Sequence, residues 1–260
     1  APGPRTMVGQ APTGLASADV TGDGARDLIV ANEGGDSAPG SISVLRGDGN
    51  GGFTLVLQVD PTDPEATVPE LPADLGTRAV ALGNVDGAPA LDVLVVNSRA
   101  NSVSIFSGDG GGLYTPRGTL PTGGSPQDLA LADLDGDGAL DLIIAEANED
   151  AVAVRLGNGD RTFAAPTAYP VGTAPNRVAI GDLDDNGTLD IVAANSRSGD
   201  VSLLRGDGMG NFAAARSFVA DSEPQALTLA DLDDDGRLDP VTATQGGSGG
   251  PSVAVLLNRG

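Results

Sequence analysis

The sequence predicts an all-β protein, and three observations carry that prediction. Five acidic segments align along the chain, starting at residues 19, 84, 133, 182 and 231, so that the last three intervals are each 49 residues. Each period holds four short apolar runs, which in the third are residues 129–134, 140–145, 151–156 and 163–171. The runs are bounded by Gly, Asn, Asp and Pro, and no stretch keeps a 3.6-residue apolar period for three turns. Four strands recurring every 49 residues predict one blade per repeat, and hence a single-domain, five-bladed β-propeller with four antiparallel strands per blade.

The blades are expected at about residues 13–59, 77–120, 127–171, 176–219 and 225–258. The first interval is longer than the others by 16 residues, and aligning Phe53 with Tyr114, Phe163 and Phe212 places 4 of them before Phe53 and 12 after it. Both insertions, residues 34–40 and 60–74, are therefore expected in loops. The fifth repeat lacks a fourth apolar run, whereas residues 5–9 precede the first repeat where an outer strand would lie. That segment is expected to complete blade five and so remove the open sheet edges.

Composition narrows function. The 260 residues include 36 acids and 14 basic residues, all Arg, for a net charge of −22. A polyanion would be repelled, so neither nucleic acid nor an anionic membrane surface is an expected partner. Without His, Cys or Trp, the chain has no Ser-His-Asp or Cys-His catalysis, zinc site or disulfide. No apolar run approaches the roughly 18 residues of a membrane span, and the start does not pass from basic to apolar as a signal peptide does, which predicts a soluble, processed segment without membrane insertion.

The aligned segments carry the chemistry. Asp at positions 1, 3, 5 and 9 with Gly at position 6 gathers hard oxygen donors as Ca²⁺ prefers. The spacing is similar to the start of an EF-hand, but Val30, Ile144, Ala193 and Thr242 occupy position 12, where an EF-hand has its bidentate Glu. The pattern Asp-x-Asp-x-Asp-Gly-x-Leu-Asp, then an apolar strand ending near Asn32, Asn97 or Asn195, then Gly-Asp/Asn-Gly before Phe or Tyr, resembles the FG-GAP, or VCBS, repeat of integrin α-subunit heads and many secreted bacterial proteins. The resemblance covers all five repeats. It implies a propeller with calcium in the loop between the first and second strands of a blade, and with ligands met on the opposite face.

Carried over residue by residue, the resemblance implies Asp133, Asp135, Asp137 and Asp141 as ligands in the third repeat, with Asp182, Asp184, Asn186 and Asp190 in the fourth and Asp231, Asp233, Asp235 and Asp239 in the fifth. The carbonyls of Ala139, Thr188 and Arg237 would supply the donor at position 7. The first repeat keeps Asp19, Asp23 and Asp27, with Thr21 at position 3 and Ala25 at position 7, and is expected to bind more weakly. The second, residues 84–92, has Ala88 and Pro89 at positions 5 and 6 and is expected to be weak or empty. About four calcium sites result.

For a ligand on the opposite face, the candidates are Arg78, Arg99, Asp128, Arg177 and Arg197, which lie near the inner-strand starts or beyond the second strands. Thr13, Arg78, Gln127, Asn176 and Gln225 share one repeat position there. Arg46-Gly47-Asp48 and Arg205-Gly206-Asp207 spell an adhesion tripeptide, yet the equivalent turns read Ser-Gly-Asp and Leu-Gly-Asn, so turn geometry explains them. The expected function is a non-enzymatic, calcium-binding adhesion or ligand-binding module with a protein or glycan partner, secreted, at the cell surface or periplasmic. One alternative is a lectin-like propeller, although all seven aromatics fall at strand or turn positions that account for them structurally. A second is a carboxylate hydrolase or lyase with its site in the central channel, for which Asp128 and Glu146 are the isolated acids.

Overall fold

The computed structural model describes residues 5–220, 222–245 and 250–259, and among them the chain consists of strands and turns without a helix. The first sheet is the meander β1 (Pro12–Ala18), β2 (Asp27–Asn32), β3 (Ser41–Gly47) and β4 (Phe53–Val56). Next come β5 (Gln58–Asp60), paired with β6 (Asp63–Val68), and β7 (Leu71–Pro72), which pairs β3. The second sheet is β8 (Thr77–Gly83), β9 (Asp92–Asn97), β10 (Ser102–Gly108) and β11 (Tyr114–Pro121). The third is β12 (Pro126–Ala132), β13 (Asp141–Glu146), β14 (Ala151–Arg155) and β15 (Thr167–Pro170). The fourth is β16 (Pro175–Gly181), β17 (Asp190–Asn195), β18 (Asp200–Leu204) and β19 (Arg216–Val219). The fifth has three strands among the described residues, β20 (Pro224–Ala230), β21 (Asp239–Thr244) and β22 (Ser252–Val255). All pairings are antiparallel between chain neighbours apart from β7 on β3.

Two segments depart from the sequence expectation. Residues 5–9 belong to no strand; Thr6 Oγ1 donates to the Phe53 carbonyl at 2.8 Å and the Gly9 N–H to Ser43 Oγ at 3.2 Å, so the segment is bonded to the first sheet. The second insertion is not a plain loop. Residues 58–60 and 63–68 fold back on each other as the β5–β6 hairpin, and Leu71 is fully buried in the core beside β3.

The chain falls into two compact units, Ala1–Ser125 and Pro126–Gly260. In each, the core lies between successive sheets. Ile29, Val44 and Leu71 of the first repeat pack with Val93, Val95, Phe106 and Tyr114 of the second. In the other unit Leu134, Ile143, Val152 and Val154 pack with Ile191, Ala193 and Leu204. Covered on both faces, the second strands β9, β13 and β17 are buried at every residue, which is why they read as continuous apolar runs instead of alternating ones.

Within each unit the later repeat also presses the turn after its third strand onto the earlier one. The Phe212 ring meets Tyr169 edge-on, with centroids 5.4 Å apart, and the Gly210 N–H donates to the Leu134 carbonyl at 3.3 Å. In the other unit buried Gln58 does this work: its Nε2 donates to the Gly112 carbonyl and its Oε1 accepts the Tyr114 N–H, both at 2.9 Å. Replacing Gln58 by Ala strands two buried backbone groups, at about 1 to 3 kcal/mol each. The expected outcome is a loss of roughly 2 to 6 kcal/mol, read as a shifted denaturant midpoint with an unchanged slope.

Candidate metal centres in the acidic loops

Each acidic loop joins the first strand of a sheet to the second, so its two ends are ladder neighbours. Position 9 opens the second strand and is buried: Asp27, Asp141, Asp190 and Asp239 are 0 % exposed and Asp92 is 1 %. Buried carboxylates persist only where donors meet them. Their Oδ2 accepts the backbone N–H of position 2, from Val20, Val85, Leu134, Leu183 and Leu232 at 2.8 to 3.1 Å. Their Oδ1 accepts an N–H at or just past the end of the third strand, from Gly47, Gly108, Gly157, Gly206 and Asn258 at 2.7 to 3.2 Å. The residue predicted to close a metal cage therefore also ties three parts of every sheet together.

Position 1 points into the loop. Asp133 accepts the Gly136 and Gly138 N–H groups at 2.7 and 3.0 Å, and Asp182 and Asp231 take the Gly187 and Gly236 N–H groups at 2.8 and 2.9 Å. Gly at position 6 is required because φ there is +83° to +90° in Gly24, Gly138, Gly187 and Gly236. Pro89 cannot adopt such a φ, so the second loop turns differently, with Asn84 Nδ2 donating to the Ala88 carbonyl.

Three groups of carboxylates converge, Asp133/Asp135/Asp141, Asp182/Asp184/Asp190 and Asp231/Asp233/Asp239, each offering oxygens within 4.8 Å of one another. The donors are all hard oxygens. Ca²⁺ binds oxygen at about 2.3 to 2.6 Å, so ligands on opposite sides of one ion stand roughly 5 Å apart. Burial pushes the Asp141 and Asp190 carboxyls above the usual range, and the charges of Asp135 and Asp133 on the one, and of Asp184 on the other, push the same way. Asp184 Oδ1 is buried with no hydrogen-bond partner. Crowded carboxylates and an unmet oxygen fit a divalent cation, with Ca²⁺ the match for the donor set.

Two parts of the expected ligand sets stand apart from these groups. The first loop is not among the converging groups of the described residues. Asp23 instead accepts the Ala25 N–H at 2.9 Å and pairs with Arg46 at 2.8 Å, which together hold its carboxyl below the usual range. Nor do the position 5 carboxylates of Asp137 and Asp235 stand in the groups. Oδ1 of Asp137, Asn186 and Asp235 accepts the N–H of position 7, from Ala139, Thr188 and Arg237, at 2.7 to 2.9 Å. Sequence inspection also missed the cations. Arg205 pairs with Asp184 at 2.8 Å and Arg237 with Asp185 at 3.1 Å, while Ser107 meets Asp86 at 3.2 Å. Arg205 and Ser107 stand 21 residues from their partners, beyond any local motif, but share the place just before the Gly that bonds position 9. Arg237, by contrast, lies 52 residues from Asp185 and reaches it from the next repeat.

Of the ligand candidates, Arg78 and Arg197 are exposed. Arg99 is engaged with the first insertion, donating to the carbonyls of Asp36 and Gly35 at 3.1 Å each and facing Glu33 at 3.5 Å. Asp128 is brought to the fourth repeat, where its Oδ2 accepts the Val178 N–H at 3.1 Å with Arg177 nearby. Arg197 has no described contact with that pair. Thr13, Arg78, Gln127, Asn176 and Gln225 stand at β-bulges, and two of them link adjacent repeats: Thr13 Oγ1 donates to the Thr77 carbonyl at 3.0 Å and Asn176 Nδ2 to that of Pro224 at 2.8 Å. In both Arg-Gly-Asp turns the acid folds inward, Asp48 onto the Asn50 and Gly52 N–H groups and Asp207 onto those of Met209 and Asn211.

The FG-GAP-like repeat matches residues 84–144, 133–193 and 182–242, each match spanning two acidic loops. The chain belongs to this family. No curated protein matches it in sequence. Among solved structures it is similar to the biofilm matrix protein Bap1 of V. cholerae, with a TM-score of 0.59 and 19 % identity over 96 % of this chain and 38 % of Bap1. It is also similar to an Agrocybe aegerita lectin that recognises non-reducing terminal N-acetylglucosamine (0.52, 18 %, covering 94 % and 66 %). A third likeness is to a putative 6-phosphogluconolactonase from Bacteroides fragilis (0.63, 18 %, covering 94 % and 66 %). These likenesses show the fold, and the chain spans 38 to 66 % of those three proteins.

Asp92→Ala, in the loop that gathers no acid group, should cost about 3 kcal/mol by stranding two buried N–H groups, with the same loss in chelator and in calcium. Asp128 gives a pH test. Burial raises its carboxyl, so the native state holds its proton more tightly than the unfolded chain, and stability is lost as pH climbs from the unfolded value through the folded one. Asp128→Asn keeps the acceptor for Val178 without the charge; its stability relative to the parent should rise across that window in paired denaturations at acid and neutral pH.

Proposed function

We propose that the five sheets are five blades of one propeller and that the chain is a non-enzymatic, calcium-stabilised binding or adhesion module working outside the cytosol, on a protein or glycan ligand at the face opposite the acidic loops. The convergence of three aspartates in each of three loops carries this reading. A bound Ca²⁺ would supply a positive charge tying the loop to the first residue of the second strand; Asp133, Asp135 and Asp141, and their equivalents, would hold it. Extracellular calcium is millimolar, enough to fill modest oxygen sites that cytosolic calcium would leave empty. Likeness to Bap1 and to the lectin supports adhesion or glycan binding, and the shared fold keeps the lectin alternative open. Against it, only Phe218 among the seven aromatics is exposed, so a stacking platform is lacking among the described residues.

Calorimetric titration of chelated protein with calcium should register at least three sites, with melting raised by the metal and one site removed by Asp135→Ala. Heat-silent titration and an unmoved melting curve would refute the metal assignment. The loops should differ in strength. Arg205 already offers its charge to Asp184, whereas Leu156 and Leu257 stand at the corresponding place in the third and fifth repeats. Arg205→Leu should tighten the fourth site several-fold and Leu156→Arg should weaken the third. A glycan and protein-ligand array, read with and without calcium, tests the module assignment.

A further inference from the structure

Asparagine followed by glycine is the pair most prone to lose its side-chain amide, because Gly has no Cβ to shield its backbone nitrogen. The chain has three such pairs, Asn50-Gly51, Asn158-Gly159 and Asn186-Gly187, and the fold treats them differently. In the fourth acidic loop both reacting groups are held. The Gly187 N–H donates to Asp182 Oδ2 at 2.8 Å, while Asn186 Oδ1 accepts both the N–H and the hydroxyl of Thr188. In the third repeat Asn158 is tied twice to Thr162, its backbone N–H donating to the carbonyl at 3.0 Å and its Nδ2 to the hydroxyl at 2.8 Å, and Gly159 is half-buried. Asn50 and Gly51 differ, being exposed together at the tip of the turn between β3 and β4. Asp48 Oδ1 accepts the N–H groups on either side, from Asn50 and Gly52, at 2.8 Å each, and the Gly51 N–H between them has no partner among the described residues. No atom lies within 4 Å of the place a Gly51 Cβ would take. The one bond of the Asn50 side chain runs from Nδ2 to the Asp48 carbonyl at 3.1 Å.

We propose that Asn50 is a self-modifying site, converted without an enzyme to aspartate or isoaspartate while Asn158 and Asn186 are spared. The Gly51 nitrogen gives up its proton and attacks Asn50 Cγ. The bond from Cγ to Nδ2 breaks, and Nδ2 takes up that proton and leaves as ammonia, closing a succinimide ring. Water then opens the ring, at Cγ to give aspartate or at the main-chain carbonyl to give isoaspartate; nothing is oxidised or reduced. The fold has room for the first product. Asp160 stands at the same place in the turn of the third repeat, its Oδ1 accepting the Thr162 N–H at 3.0 Å. The second product adds a methylene to the backbone between Asp48 and Gly52. Either one adds a negative charge that water does not reverse, so the charge of the chain records its time in solution. The inference rests neither on the metal assignment nor on the binding-module reading.

The folded chain, incubated at mildly alkaline pH and digested at intervals, gives three Asn-Gly peptides to follow by mass and chromatography, with the Asn50→Asp chain as the aspartate standard. The Asn50 peptide should convert roughly tenfold faster than the other two, or more, with isoaspartate beside aspartate. In denaturant the three rates should draw to within a few-fold of one another, because the hydrogen bonds that spare two of them are gone. Asp182→Ala, which frees the Gly187 N–H, should speed Asn186 several-fold and leave Asn50 as it was. Equal rates in the folded chain, or Asn158 or Asn186 reacting first, overturn the proposal. So does a lead of Asn50 that persists undiminished in denaturant, since neighbouring sequence and not the fold would then set it.

Discussion

A buried carboxylate that accepts two backbone N–H groups is the contact on which every sheet depends. Asp27, Asp92, Asp141, Asp190 and Asp239 each join the start of the acidic loop, the first residue of the second strand and the end of the third. A charge removed from water is costly unless it is met, and these five are met from two sides by groups that the sheet would otherwise leave unpaired. Three strands are thereby fixed in register without a disulfide or a large aromatic core. The second repeat makes the point most clearly: Ala88 and Pro89 have replaced the residues of a cation loop, yet Asp92 keeps both bonds. The structural role of position 9 is thus kept where the acidic loop around it is lost.

The repeat, the strand order and the Asp positions were legible because they are local and periodic. A spacing of 49 residues survives inspection by eye, and Gly at position 6 announces a left-handed turn. What was not legible is what depends on residues far apart in the chain. Arg46 reaches Asp23 and Arg205 reaches Asp184 from the far side of a hairpin. Spacing does not show the local bond of the position 5 acids either: Oδ1 of Asp137 and Asp235 accepts the N–H two residues on and so forms a turn of its own. The 12-residue insertion read as a loop because it is rich in Pro and acid; burial of Leu71, which pattern alone does not reveal, makes part of it sheet.

Net charge acquires a different meaning in this setting. Of the 36 acids, 18 lie in the five loops. Asp23, Asp184 and Asp185 are paired with arginine, and the position 9 carboxylates are stabilised by hydrogen bonds from the backbone. The chain's acidity is therefore concentrated where it is structurally answered, and does not form a field spread evenly over the surface.

The interlock between repeats sets the unit by which such an array can grow. In both units a sheet is closed over by the turn of the repeat that follows, with Gln58 clasping the Gly112–Tyr114 turn and Tyr169 receiving Phe212. A duplication cut at the boundaries of a sheet would copy a face without its cover. A duplication running from one turn aromatic to the next carries the second half of one sheet and the first half of its successor, and it inserts without leaving any face bare. The heritable module of this fold is accordingly offset from its visible one.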